Sequence, residues 1–337
     1  MKPLVRFALI GTLLCLTHVT SPALAQMQKV KLTMPVVALS MTPVYLAQAR
    51  GYFAEEGLEV ATTVTSGSGP DIRALIAGDV DFTFTPGDNV ILAYQEGKRL
   101  VMVMSGLHRL FINWVIHKDV AKAKGITEAS PLGEKLKALK GLTVGVTQAG
   151  ALTAHLAAFV VRKAGYVPQQ DVKILPIGPG PTWLAALENR KVDVALTATP
   201  TPETAIHRGF AIMFIDNARG EDPSFPEFLM CNLITRPEVI EKQPDLVRKM
   251  ARALVKANKW ALSATPEQVA EALKPTFAQT DPVIHLTGVK SVLPALDPDG
   301  RTSERSLQIT QDVLEQAGLL KKRIPYAEVV NNDFLPR

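Results

Sequence analysis

Short stretches rich in Ser, Thr and Gly stand directly ahead of helix-like runs in this chain. Ser66-Gly67-Ser68-Gly69 is the first of them, followed by an Ala/Leu-containing run that Gly78 ends. A helix N-terminus presents free backbone N–H groups and a partial positive charge, which suits a carboxylate, sulfonate or phosphate. The same residues also read as a plain strand-to-helix turn capped by Ser68 or Asp71. The G-x-x-x-x-G-K-S/T pattern of a phosphate loop is absent. Four further stretches have this character: Ser40-Met41-Thr42, Thr85 with Asp88, the run 148–153 with Gln148 and Thr153, and Thr197 to Thr199 before Pro200. Asp88 can accept a ligand amine or cap its own helix. Arg109 can form a bidentate fork with an anion or stay solvated. Trp183 can stack on a ring or fill the core. The binding residues expected from these readings are Ser40, Met41, Thr42, Ser66, Gly67, Ser68, Thr85, Asp88, Gln148, Thr153 and Thr199.

Catalytic chemistry has less support. There is no G-x-S-x-G elbow, no H-E-x-x-H and no C-x-x-C. His108, His117, His155, His207 and His285 lack metal-ligand spacing, so no metal and no cofactor is expected. Cys231 sits in the apolar run Phe228-Leu229-Met230-Cys231-Asn232-Leu233-Ile234, as a buried structural thiol would. No catalytic residue is assigned, and the expectation is a binder and not an enzyme. A triad assembled in space stays open, since triads need not be contiguous.

The elements that must position these loops form one plan written twice. The first copy runs through Gly51-Tyr52, Gly67-Ser68-Gly69-Pro70, Val80-Asp81 and Thr85-Pro86. The second runs through Gly165-Tyr166, Gly178-Pro179-Gly180-Pro181, Val192-Asp193 and Thr199-Pro200. β-like runs at 29–37, 58–65, 81–84, 100–104 and 111–117 alternate with helical ones, and again at 142–146, 172–176, 192–196 and 211–215. Such alternation predicts an α/β protein of two lobes, each a mainly parallel sheet flanked by helices. Long helical patterns at 244–264, 266–273 and 305–317 are expected to return to the first lobe. The lobes are placed at 26–117 with 222–337, and at 118–221. The residues 118–131 and those after 222 would cross between them, with hinge points near 114–118 and 216–232. Ligands bind beyond the carboxyl ends of parallel strands and between domains. The Ser/Thr/Gly stretches fall at those ends.

The first 25 residues read as a secretory signal. Lys2 and Arg6 precede the apolar residues 7–16, and Ala23-Leu24-Ala25 is a small-x-small cleavage site. Cleavage after Ala25 removes Cys15 and leaves Cys231 alone, so no intramolecular disulfide is expected. A periplasmic location follows. The formal charge of +5 becomes +3 without Lys2 and Arg6. The basic residues are scattered, and nothing points to nucleic acid. A hydrophobic share of 47% with 20% charged residues is that of an ordinary folded protein.

Pro43-Val44-Tyr45-Leu46-Ala47-Gln48-Ala49-Arg50-Gly51-Tyr52-Phe53-Ala54-Glu55-Glu56-Gly57-Leu58 resembles a recurrent segment of bacterial ABC-transporter substrate-binding proteins. The branch is the one for nitrate, sulfonates, taurine and thiamine-precursor pyrimidines. Ala77-Gly78-Asp79-Val80-Asp81-Phe82, Leu139-Lys140-Gly141-Leu142-Thr143-Val144-Gly145-Val146 and Lys191-Val192-Asp193-Val194 are similar to its other markers, as is Asn331-Asn332-Asp333-Phe334-Leu335. The resemblance implies the two-lobed periplasmic-binding fold (type II) and a small, anionic or polar organic ligand: a sulfonate, a carboxylate or a pyrimidine. It implies delivery by a monomer to an inner-membrane ABC permease with its ATPase. A ligand sensor for a membrane signalling protein, and an exported enzyme on the same fold, remain alternatives. The second lobe departs from the family's Gly-Ser/Thr pair, having Gly150-Ala151 with Thr153 two residues later.

Overall fold

Ten strands form two five-stranded sheets in a computed structural model that describes residues 26–336; the expected signal at 1–25 lies outside the described residues. The strands are β1 (Gln28–Met34), β2 (Leu58–Val64), β3 (Phe82–Thr85), β4 (Val101–Leu107), β5 (Ile112–His117), β6 (Thr143–Val146), β7 (Lys173–Pro176), β8 (Val194–Ala198), β9 (Ala211–Ile215) and β10 (Cys231–Thr235). The first sheet has the order β2-β1-β3-β10-β4 and the second β7-β6-β8-β5-β9. The two orders are the same plan, as the repeat predicts.

The repeated Val-Asp pair has a repeated physical task. Asp81 Oδ2 accepts from the Lys31 N–H, and Asp193 Oδ2 from the Thr143 N–H, both at 2.8 Å. The backbone bonds back, Asp81 N–H to Lys31 O and Asp193 N–H to Thr143 O, at 3.1 and 2.9 Å. Each Asp therefore pins the start of the third strand of its lobe to the first. The Gly-Tyr pairs also match: Gly51 and Gly165 both have the positive φ (72° and 83°) that lets a helix stop and the chain turn.

Two expectations change. Each sheet is mixed. Its first three strands are parallel, but β10 and β4 in one sheet, and β5 and β9 in the other, add antiparallel pairings. A parallel neighbour needs a crossover helix. β5 and β10 arrive from the opposite sheet through short or irregular connections, so they enter in the other direction. Residues 112–117, expected as the fifth strand of the first lobe, belong to the second sheet. The outward crossing is therefore at 108–111, ahead of the expected hinge at 114–118 and the expected crossover at 118–131, and the return is at 216–230. The two crossings touch, because Phe228 N–H donates to His108 O at 2.9 Å. Phe225 packs edge-on against Phe159 and Phe228, with ring centroids 5.4 and 5.9 Å away.

Helix Pro244–Ser263 packs over the first sheet, buried along one face. Thr265 starts helix Pro266–Leu273 with a capping box: its Oγ1 accepts from Gln268 N–H, and Gln268 Oε1 accepts from Thr265 N–H. Helix Pro282–Val292 is additional to the expected elements, although Asp281-Pro282 is a start signal and the Asp281 carboxylate does cap it. Helix Glu304–Gln316 reaches beyond the first lobe. It packs on both Asp88–Gln95 and Leu152–Lys163, so it spans the two lobes. No helix among the described residues is long and apolar enough to cross a membrane.

Candidate functional site

The loops after β1, β2, β3, β6 and β8 meet between the sheets. They enclose a cavity of about 40 Å³, room for no more than a few water molecules. Of the expected binding residues, Ser40, Met41, Gly67, Ser68 and Thr153 line it. So do Thr197, from the expected stretch 197–199, and Thr147 and Cys231, which were not expected there. Its wall contains no Lys, Arg, Asp or Glu side chain.

Each polar residue has a definite state. Ser40 is 1% exposed, and its hydroxyl has only the Cys231 thiol, a weak partner, beside it. Ser68 is not a cap. Its Oγ accepts from Leu152 N–H across the cleft at 3.2 Å and from Asn89 Nδ2 at 3.1 Å. Gln148 stands opposite Gly67, where an added Cβ would meet its carboxamide carbon at 3.2 Å. Thr153 Oγ1 is 2.8 Å from Thr147 Oγ1 and accepts from Thr147 N–H. Asp88 is fully buried and does not cap its helix; its Oδ2 accepts from His155 Nδ1 of the other lobe at 2.6 Å. Leu39 N–H also bridges the lobes, donating to Thr199 O at 3.0 Å.

Six expected residues are not in the cavity wall: Ser66, Asp88 and Gln148, and also Thr42, Thr85 and Thr199. Thr42 Oγ1 donates to Leu39 O at 2.7 Å, so its hydroxyl is spent inside the first turn of its own helix. Thr199 Oγ1 donates to Glu203 Oε1 at 2.8 Å. Thr85 is fully buried beneath the floor, its hydroxyl turned towards the Asp71 carboxyl. Ser66 adopts a positive φ of 71° at the turn, and its neighbours Gly67 and Ser68 hold the wall in its place.

His155 and Asp71 are the residues whose roles the sequence reading missed. His155 was weighed only as a metal ligand; its place in the first turn of helix Leu152–Lys163 was the available signal. Asp71 is fully buried under Ser68, with Oδ1 accepting from Thr65 Oγ1 at 2.7 Å. Burial pushes its carboxyl up to about 7, against the opposite pull of the Thr65, Thr85 and Thr33 hydroxyls. Burial likewise pushes the Cys231 thiol up, so it is held neutral and is a poor nucleophile. Trp183 is core, its Nε1 donating to Leu196 O at 3.3 Å. Arg109 is exposed on the outward crossing.

Comparison with known proteins places the chain. The family described as NMT1/THI5 like matches residues 38–269. The Bacillus subtilis (strain 168) protein YtlA is 21% identical over 321 residues, covering 91% of this chain and 88% of that one. The riboflavin-binding protein RibY of Chloroflexus aurantiacus is 25% identical, covering 92% and 87%. The solved alkanesulfonate-binding protein SsuA of Xanthomonas axonopodis pv. citri, bound to MOPS, superposes with a TM-score of 0.71 at 15% identity, over 90% of this chain and 98% of that one.

Proposed function

The chain belongs to the NMT1/THI5-like family, and on that premise we propose that it captures a small organic molecule between its two lobes and delivers it to an ABC importer. The observation that carries this reading is the Ser40 hydroxyl. It lines the cleft cavity, is 1% exposed, and its only partner is the Cys231 thiol, a weak one. A buried hydroxyl without a strong partner costs up to about 1–3 kcal/mol, so a ligand atom placed there would be favoured. Ser68, Gly67, Met41, Thr153 and Gln148 complete the contact set. The lobes are 26–107 with 231–336, and 112–215. The short crossings between them act as the hinge. The protein works as an exported monomer, its signal at 1–25 removed after Ala25.

Binding without turnover fits the site. The cavity's one thiol is held neutral, and His155 is engaged by Asp88. The relatives' ligands differ in charge: riboflavin is an uncharged ring system, and an alkanesulfonate is an anion.

Native mass spectrometry of the protein exported from its own host tests the reading. The expected spectrum shows one small molecule per chain, released on denaturation, and a Ser40→Ala variant that retains less of it. A bare mass, with no thermal stabilisation by a small-molecule extract of the host, would overturn it. Recovery of a permease with the cross-linked protein, and not of a signalling receptor, tests the delivery step.

A further inference from the structure

Val36, Thr197 and Ala198 stand in the wall of the cavity and also in the wall of a second space, of about 180 Å³, so the two adjoin across these three residues. This outer vestibule lies between the lobes. Val36, Val37, Ala38 and Val64 form one side of it, and Pro179, Gly180, Pro181 and Thr201 the other. Its inner end is buried at Ala38, Thr197 and Ala198, and its outer end is open at Val37 and Val64. The wall holds no charged side chain and, apart from the two threonines, no polar one. Pro179 and Pro181 carry no N–H, so the second Gly-x-Gly-Pro turn, which stays out of the cavity, offers the vestibule few donors. Val37 and Val64 are 52% and 42% exposed, and they line this one space together. Apolar side chains left facing water singly are ordinary, but a group of them in one concave wall marks a surface that something covers.

We infer that the vestibule is the outer half of the ligand site and holds an apolar segment, a ring or a short carbon chain, of the same molecule whose polar end meets Ser40 and Ser68. This inference rests on the solute-binding reading above. The inner cavity has room for no more than a few water molecules, far less than a site for a whole organic molecule usually offers. The ligand therefore extends past Val36 and Thr197, and the vestibule is the space that adjoins there. An apolar segment laid in it takes Val37 and Val64 out of water and asks for no hydrogen bond from the two prolines. A segment rich in polar groups would lose its water there and find few partners in exchange. Beyond Val37, Gly180 and Pro181 the wall continues into an outer groove that holds His207, Arg208 and Asp281, so the far end of the segment meets a polar, watery surface. The ligand class is an elongated molecule, polar at the buried end and apolar along its middle.

The test takes the molecule released from the protein exported by its own host and identifies it by elemental formula and fragmentation in the mass spectrometer. A molecule of about ten or more non-hydrogen atoms with an apolar segment is expected, since room for a few waters cannot enclose one. A smaller molecule, or one polar throughout, overturns the inference while leaving the binding reading intact. A chain that carries no molecule and is not stabilised by a small-molecule extract of the host overturns both. A second arm compares two double variants. Val37→Trp/Val64→Trp fills the vestibule from exposed positions and should weaken binding of the parent's molecule by about tenfold or more. Val167→Trp/Leu262→Trp enlarges side chains of similar exposure outside both spaces and should bind as the parent does. Equal binding by the two double variants overturns the inference. If the first double variant does not fold, the size and polarity of the parent's molecule decide.

Discussion

Gly67-Ser68-Gly69-Pro70-Asp71 and Gly178-Pro179-Gly180-Pro181-Thr182 are the same turn at the same place in two lobes, and they do different work. The first is buried in the cleft, with Ser68 at 3% exposure bridging to Leu152 and Asp71 buried beneath. The second is half-exposed and does not touch the cavity. Its Pro179 has no N–H to offer, and its Thr182 Oγ1 closes locally onto Pro179 O at 2.8 Å. The second lobe reaches the cleft through residues 147–153 and the end of β8. By contrast, Asp81 and Asp193 make the same bond at the same length in both lobes. The scaffold positions repeat because each sheet has the same backbone to hold. The site positions differ because each lobe presents a different loop to the ligand.

The largest expected effect separates Asp71 from Thr182. A carboxyl raised to about 7 binds a proton in the folded state that the unfolded chain has already lost. Its cost to folding is absent at low pH, grows as pH climbs from the ordinary carboxylate range, and is complete above about 7. Asp71→Asn should therefore gain stability relative to the parent between pH 4 and 8, on the order of 3 kcal/mol. Thr182→Asn should show no such pH trend. Denaturant melts at the two pH values decide it; parallel curves for parent and Asp71→Asn would break the contrast.

Asp81→Ala and Asp193→Ala should each cost about 1.5 kcal/mol, as loss of a charged acceptor does when the freed N–H is partly hydrated. Near-equal losses in urea unfolding sharpen the claim of one scaffold task. A loss confined to one lobe would mean that the repeat is only formal.

Gly178→Ala should cost about 1–2 kcal/mol, because its φ is +77° and an added Cβ would meet Thr182 Oγ1 at 2.5 Å. Gly67→Ala has no left-handed strain and meets only the movable Gln148 side chain at 3.2 Å, so it should leave the melting temperature nearly unchanged. Its effect should appear in ligand affinity. The reverse pattern would mean that the second turn, not the first, faces the ligand.

Ser68→Ala should weaken binding by about 0.5–1.5 kcal/mol and also lower the melting midpoint, since Leu152 N–H and Asn89 Nδ2 lose their acceptor. Calorimetry against the molecule that co-purifies with the parent measures it. Unchanged affinity would remove Ser68 from the site.

By itself the sequence determined the element types, the duplicated plan and five of the wall residues. Period-two and helical patterns, Gly stops and Val-Asp starts report local backbone needs, and these are written near the residues they govern. Ser40, Met41, Gly67, Ser68 and Thr153 were legible because parallel strands place the loops at their carboxyl ends together. The tertiary structure alone decided which sheet residues 112–117 join, since an apolar β-rich run suits either. It alone set Asp88 against His155, 67 positions apart in the chain, and left Thr42 and Thr199 with local partners. A carboxylate at a helix start reads as a cap in sequence; only burial lifts the Asp71 carboxyl to about 7. Burial is a property of the whole packed chain, so no local pattern encodes it.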